Sequence, residues 1–428
     1  MKTLSAKKML AMLTLCLIVS MPSFAQHGKY VGGDISLLLA YEQHNSPYLD
    51  ADNKPISDLI TWLKNDCGWN TFRVRLFVNP DKSDPSVCQD LQYAIQLGKR
   101  IKDAGAYFML DYHYSDTWVD ATHIQAPAAW KDCTADPKAD SVYAYTLRTL
   151  QEFIKQGASP DFVQIGNEIM YGFVGIQVHP YNNSNDDWDG YLKVMRAGCN
   201  ATRELLPNAQ IIIHTDRPSN GDYNKFYYSK LIENNVDFDV IGLSYYPFWH
   251  GFLSDFKKGL DAIKSQFPQK KIQIVETGYY FQYWPNSGIN YNTTTQWPAT
   301  PLGQYNCMKD LIAFLADYPQ VEGLLYWEPE DAGNGDDTDW NVGPTVSGYW
   351  TNRGLWSPEA SKTGHKPIKC SAGMVHYLLP NFIGVDLSAL ENNAAETDNK
   401  HTKKIMYNGQ IMIKKNNQLY SILGAEIK

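Results

Sequence analysis

Eight short apolar runs constrain this chain more than any other feature. They are Val31–Leu37, Thr71–Val78, Tyr107–Tyr112, Phe162–Ile165, Gln210–His214, Val240–Tyr246, Ile272–Val275 and Val321–Trp327. Their β-branched and aromatic content suits strands buried on both faces. Between them lie amphipathic stretches, among them Asp90–Ala104, Ala139–Gln156, Trp188–Leu206 and Leu253–Phe267, with apolar positions three and four apart. These stretches stop near Gly105, Gly157, Pro207 and Pro268, residues that end helices. Eight strand–helix units predict an α/β fold, a (β/α)8 TIM barrel over residues 26–384. An open doubly wound sheet is the competitor. It calls for a Gly-rich phosphate loop after the first strand, and Gly32-Gly33 is not followed by one.

A barrel of this kind gathers its chemistry at the C-terminal ends of the strands. Those ends carry Arg73 and Arg75, Asp111 and His113, Asn167 and Glu168, His214 and Asp216, Tyr245 and Tyr246, Glu276, and Trp327 and Glu328. A single such residue can be a loop tether, but a ring of them is a site. Glu168 and Glu276 end the fourth and seventh strands, which face each other across a small barrel. Two carboxyls over one opening suit glycosidic bond cleavage. One supplies a proton to the leaving oxygen, and the other meets the oxocarbenium-like centre from the opposite face. His113 and His214 have neither HxH nor HExxH spacing, so metal ligation is not indicated. Trp118, Trp249, Trp284 and Trp297 fall in strand-to-helix loops, either lengthening a cleft or anchoring the loops.

The ends of the chain carry other patterns. Residues 1–25 have lysines at 2, 7 and 8, an apolar run from Met9 to Val19, and Ser23-Phe24-Ala25, which together predict a secretory signal cleaved before Gln26. Export follows, to the periplasm, the cell surface or the outside. The run is short for a bilayer span, and no other stretch is long and apolar enough for one. Cys16 would leave with the signal, and six cysteines would remain, which permits up to three disulfides or buried free thiols. Residues 385–404 read as a polar linker. Residues 405–428 alternate around Asn408-Gly409 and Asn416-Asn417, predicting a short β-rich tail of two or three strands. The net charge of −8 argues against a nucleic-acid partner. Twelve Trp and 28 Tyr provide flat faces on which sugar rings stack.

Longer strings carry a family resemblance. They are Asn70–Pro80 (NTFRVRLFVNP), Asp111–Trp118 (DYHYSDTW), Val163–Glu168 (VQIGNE), Asp239–Trp249 (DVIGLSYYPFW), Val275–Gly278 (VETG) and Tyr326–Glu330 (YWEPE). In this order they resemble glycoside hydrolase family 53 of clan A, the endo-β-1,4-galactanases, over about residues 28–384. The resemblance implies a retaining enzyme acting on the galactan of pectic type I arabinogalactan, with Glu168 as acid/base and Glu276 as nucleophile. It implies that Asn167 binds the 2-hydroxyl of the −1 sugar, that Arg73 and Tyr246 contact Glu276, and that Trp327 floors the −1 site. His113, His214 and Asp216 would line that site, with Asp111 beside them and Trp118 and Trp249 extending the cleft. Counting by twos along the strand, Tyr246 rather than Tyr245 shares a face with Ser244 and Gly242. No organic or redox cofactor is implied, and a monomer is expected. Some bacterial relatives hold calcium in an acidic cluster after strand seven. Here that loop, Tyr279–Gly288, has no carboxylate, although the oxygen-rich run Asp331–Asn341 offers Asp336, Asp337 and Asp339. Another clan A endo-glycanase, acting on mannan, xylan or glucan, is the near alternative. A glycan-binding barrel without turnover is the alternative from another class.

Overall fold

The computed structural model describes residues 29–43, 48–84, 86–281, 291–331, 353–357, 369–370, 374–384, 402–407, 410–415, 418–421 and 426–427. Eight parallel strands close into one barrel: β1 (Tyr30–Asp34), β2 (Thr71–Leu76), β3 (Tyr107–Tyr112), β4 (Phe162–Ile165), β5 (Gln210–Thr215), β6 (Val240–Tyr245), β7 (Lys271–Thr277) and β8 (Val321–Trp327). β1 pairs with both β2 and β8, which closes the ring. The outer helices are α1 (Leu59–Asn65), α2 (Leu91–Asp103), α3 (Ala135–Lys155), α4 (Trp188–Leu205), α5 (Gly221–Glu233), α6 (Leu253–Gln266), α7 (Pro301–Leu315) and the short α8 (Val375–Leu378). This is the (β/α)8 fold expected from the apolar periodicity.

The helices start and stop where local chemistry dictates. Asp58, Asp90, Asp187 and Asn220 each accept a hydrogen bond from a backbone N–H in the first turn of the helix that follows. Each such cap is worth about 1 kcal/mol. After α2 and α3 the chain reverses through Gly105 and Gly157, at φ of +72° and +74°, where a side chain would strain the turn. The shell between barrel and helices is one apolar core. A smaller cluster of Tyr30, Met109, Phe162, Ile212, Val240, Val275 and Leu325 plugs the barrel from within. Above that plug the interior turns polar, with Arg73, Asp111, Gln164 and His214 all fully buried. α8 and the 3-10 turn after it fold back under β1, and the Trp69 indole donates to the His376 carbonyl at 2.8 Å.

Some expectations need correction. The first strand ends at Asp34, not Leu37. Among the described residues the tail has four antiparallel strands rather than two or three, and the first, Thr402–Tyr407, begins inside the segment read as linker. No disulfide joins any two of Cys67, Cys88, Cys133, Cys199 and Cys307. The signal segment, Trp284 and the acidic run beyond Asp331 lie outside the described residues. Among the described residues no helix is long and apolar enough to cross a membrane.

Candidate active site

The C-terminal rim is organised around Arg73, whose guanidinium is 1% exposed. Nη1 contacts Asp34 Oδ2 at 2.7 Å and Glu276 Oε1 at 2.9 Å, and Nη2 contacts Asp111 Oδ2 and Asn167 Oδ1 at 2.8 Å each. One buried cation thus serves carboxylates from three strands. Burial raises the Asp111 carboxyl, but Arg73, His113 and His214 together outweigh that and hold it below its usual range. His113 Nδ1 accepts from the Val119 N–H at 3.2 Å, which leaves Nε2 to donate to Asp111 Oδ2 at the same distance.

Glu276 reaches this centre through an irregularity. Along the β6–β7 pair, Leu243 faces Ile274, but the next residue, Ser244, faces Glu276. Val275 is an extra residue, a bulge that re-aims the strand. Val275 joins the apolar plug, and Glu276 still turns inward to Arg73. Its other oxygen, Oε2, accepts from the Tyr246 hydroxyl at 3.0 Å. Tyr245 turns away, donating to the Gly251 carbonyl and stacking on Phe256.

Glu168 ends β4 differently. Gly166 at φ +84° turns the chain, and Glu168 itself sits left-handed at φ +49°. A non-glycine residue held there stores about 1–3 kcal/mol of strain, a cost met at functional sites. Its backbone N–H points at His214 Nδ1, 3.4 Å away, and its half-buried carboxyl accepts from Ser244 Oγ at 2.6 Å. The same hydroxyl lies 3.5 Å from Glu276 Oε2. One atom therefore links the two carboxyls.

Electrostatics separates the pair. Burial drives the Glu168 carboxyl well above the usual glutamate range, and the nearby charges of Glu276 and Asp216 push the same way. Burial also raises Glu276, but Arg73 opposes it, and that carboxyl is pushed up only to about 7. When the two share a single proton, Glu168 holds it.

Around the pair the rim is aromatic and polar. Trp327 lies beside Trp118, ring centroids 6.2 Å apart, and Trp118 stacks on the Arg75 guanidinium at 4.1 Å. Arg75 in turn pairs with Glu328 at 2.8 Å. Trp249 packs edge-on to Tyr246. Asp216 reaches Arg217 through Oδ2 at 3.1 Å, while its buried Oδ1 has no protein hydrogen-bond partner among the described residues. The Trp118 Nε1 is in the same position. Both suit substrate hydroxyls. Trp297 is a loop anchor: it is buried, and its indole donates to Asp310 at 2.8 Å.

Several site residues were not anticipated. Asp34 was absorbed into an apolar run, although a carboxylate inside such a run is itself a signal. Gln164 lies mid-strand between Val163 and Ile165, accepts from Arg73 Nε at 3.3 Å and donates to Asp111 at 2.5 Å. Ser244 stands out in the sequence only by sharing a strand face with Tyr246. Arg353 is buried within 5.1 Å of the Trp327 ring and 5.3 Å of the Tyr246 ring, and nothing in its sequence surroundings marks it.

A (β/α)8 barrel that brings two inward carboxyls together over its C-terminal opening, with stacking aromatics beside them, has the architecture of a glycoside hydrolase. Sequence comparison agrees. The model of glycosyl hydrolase family 53 matches residues 30–360, and the chain belongs to that family. It is 32% identical to an endo-β-1,4-galactanase of Bacillus subtilis over 309 residues, covering 70% of this chain and 69% of that one. It is also 32% identical to an arabinogalactan endo-β-1,4-galactanase A of Emericella nidulans over 324 residues, covering 73% and 89%. Among solved structures, a family 53 catalytic domain from Ignisphaera aggregans superposes with a TM-score of 0.69 at 26% identity, covering 82% of this chain and 96% of that one. A fungal β-1,4-galactanase gives a TM-score of 0.68 at 26% identity, with 82% and 99% covered.

Proposed function

We propose that this chain is an exported, retaining endo-β-1,4-galactanase that cleaves the β-1,4-galactan of pectic type I arabinogalactan by double displacement. The observation that carries the mechanism is the shared Ser244 contact. Because one oxygen touches both carboxyls, Glu168 Oε1 and Glu276 Oε2 lie at most about 6 Å apart, against roughly 5–5.5 Å between carboxyls in retaining enzymes and 6.5–9.5 Å in inverting ones. The relatives named for galactan support the substrate, and the N-terminal sequence pattern supports export.

The geometry supports a role for each residue. Glu276, held by Arg73 and Tyr246, attacks the anomeric carbon. Glu168 gives its proton to the leaving oxygen. Water then hydrolyses the galactosyl-enzyme, with Glu168 taking the proton back. Asn167 binds the 2-hydroxyl, and its carbonyl end is fixed by Arg73 so that its amide is oriented beforehand. Asp216, His113 and His214 line the −1 site. Trp327 is its floor, and Trp118 and Trp249 continue the cleft. These steps need no organic cofactor.

The test is a polysaccharide panel. Reducing ends should appear from linear β-1,4-galactan and far more slowly from β-mannan, xylan and β-glucan, because an axial 4-hydroxyl changes the path of the chain. Faster release from any of the other three would overturn the substrate assignment.

A further inference from the structure

Ser244 Oγ is fully buried and touches three groups: Glu168 Oε1 at 2.6 Å, Glu276 Oε2 at 3.5 Å and His214 Nε2 at 2.8 Å. We propose that Ser244 is a positioning residue whose hydroxyl follows the negative charge from one carboxyl to the other during the double displacement. This rests on the retaining reading above.

The direction of each hydrogen bond is set by its surroundings. Gln164 is oriented by Arg73 and Asp111, so its Nε2 donates, and it lies 3.2 Å from His214 Nδ1. The Glu168 N–H points at the same nitrogen from 3.4 Å. Asn167 Oδ1, which accepts from Arg73, is also 3.0 Å away and keeps a lone pair, but the Glu168 N–H can only donate. Two donors converge on Nδ1, so that nitrogen accepts and Nε2 carries the proton. Burial and the Arg73 charge hold the imidazole well below its ordinary range, so the ring is neutral with one proton to give. That proton goes to Ser244 Oγ. Ser244 then has a single proton of its own and two acceptors within reach.

Those acceptors are unequally supported. Glu276 already receives Arg73 and Tyr246. Among the described residues Ser244 is the one side chain hydrogen-bonded to the Glu168 carboxyl. Glu168 also faces Asp216 and Asp120, which favour its neutral form, while Arg217 on the same rim opposes them. Glu276 faces Asp34 and Asp111 as well as Arg73. An anionic Glu168 therefore depends on the serine hydroxyl far more than an anionic Glu276 does.

The chemistry asks for that arrangement at one moment. In the first step Glu276 forms a bond to C1, the C1–O glycosidic bond breaks, and the Glu168 proton passes to the leaving oxygen. Glu276 is now a neutral ester, and the charge sits on Glu168. The Ser244 proton turns to Glu168 Oε1 and stabilises that anion as the base. In the second step water bonds to C1 and gives its proton to Glu168, the C1–Glu276 bond breaks, and the hydroxyl turns back toward Glu276 Oε2.

The test uses Ser244→Ala and Ser244→Thr on an aryl β-galactobioside with a good leaving group, where the second step limits turnover. Loss of a hydrogen bond to a charged group slows deglycosylation by about tenfold or more. It also raises the Glu168 pKa in the galactosyl-enzyme, so the acid limb of kcat moves to higher pH by about one unit. The alanine variant should show a larger burst of phenol and the shifted limb, and the threonine variant, which keeps the hydroxyl, should restore both. An unmoved limb in the alanine variant, or a threonine variant as impaired as alanine, overturns the proposal. The anomer of the first product, read on the same variants, separates the two levels. A β product with an unmoved limb refutes the serine role alone, and an α product refutes the retaining reading with it.

Discussion

Arg73 Nη1 stands 2.9 Å from Glu276 Oε1, although the two residues belong to the second and seventh strands and meet only because the barrel closes. This contact separates the two glutamates chemically. Both are desolvated, and among the described residues only Glu276 is in contact with a guanidinium.

Arg73 therefore matters to stability and to catalysis together. Replacing it with Met leaves Asp34, Asp111 and Glu276 without their buried cation. Removing one partner of a buried pair costs about 3–5 kcal/mol. Arg73→Met should lower the denaturation midpoint strongly and move the acid limb of kcat/KM upward, since Glu276 would hold its proton longer. A chemical melt and a pH–rate profile check both outcomes. Arg73→Lys should rescue only partly, because an ammonium cannot reproduce the planar fork.

Loss of the acid should depend on the leaving group. General acid catalysis contributes about 10²–10⁴-fold. Glu168→Ala should lose that much on galactan and much less on aryl substrates whose leaving groups need no proton. An equal loss on both would contradict the assignment. Glu276→Ala should be inactive on both.

Two buried carboxyls, Glu276 and Glu328, also make stability depend on pH. Burial lifts Glu276 to about 7 and Glu328 to about 8, against an ordinary value of 4.5. The folded protein keeps protons that the unfolded chain releases. The stability these two groups contribute is therefore complete below about pH 4.5 and is lost as pH rises through 7 and 8. Glu276→Gln removes one of these terms. It should melt several degrees above the wild type near pH 8 and show a smaller advantage near pH 5. Equal advantage at both values would contradict the linkage.

Tyr246 donates to Glu276 Oε2, a bond that favours the carboxylate. Tyr246→Phe should reduce kcat by about tenfold and shift the acid limb upward, with little change in KM, because the lost bond supports the nucleophile rather than the sugar. A raised KM with kcat intact would place Tyr246 in binding instead.

Much of this was legible in the sequence. The runs Tyr107–Tyr112, Phe162–Ile165 and Val321–Trp327 coincide with strands, because buried parallel strands must be apolar throughout and turn polar only at their ends. The bulge at Val275 was not legible. It consists of one extra residue in pairing with β6, and register between strands far apart in sequence leaves no local trace. Asp34 and Gln164 escaped notice for the converse reason. They occupy apolar runs yet point into a barrel whose upper layer is polar, and only the closed ring supplies their partner, Arg73. Trp297 had two readings at sequence level, and packing against Tyr279 with a bond to Asp310 makes it an anchor. Arg353 follows a long segment with no periodic pattern, so no counting scheme reaches it.

The central claim is that Glu168 and Glu276 act on one anomeric centre in two successive displacements. It is tested most directly by proton NMR of the first product released from linear β-1,4-galactan, read before mutarotation. The initial reducing end should be the β-anomer, with the α-anomer growing only later. An initial α-anomer would mean a single inverting displacement and would contradict the roles given to both carboxyls.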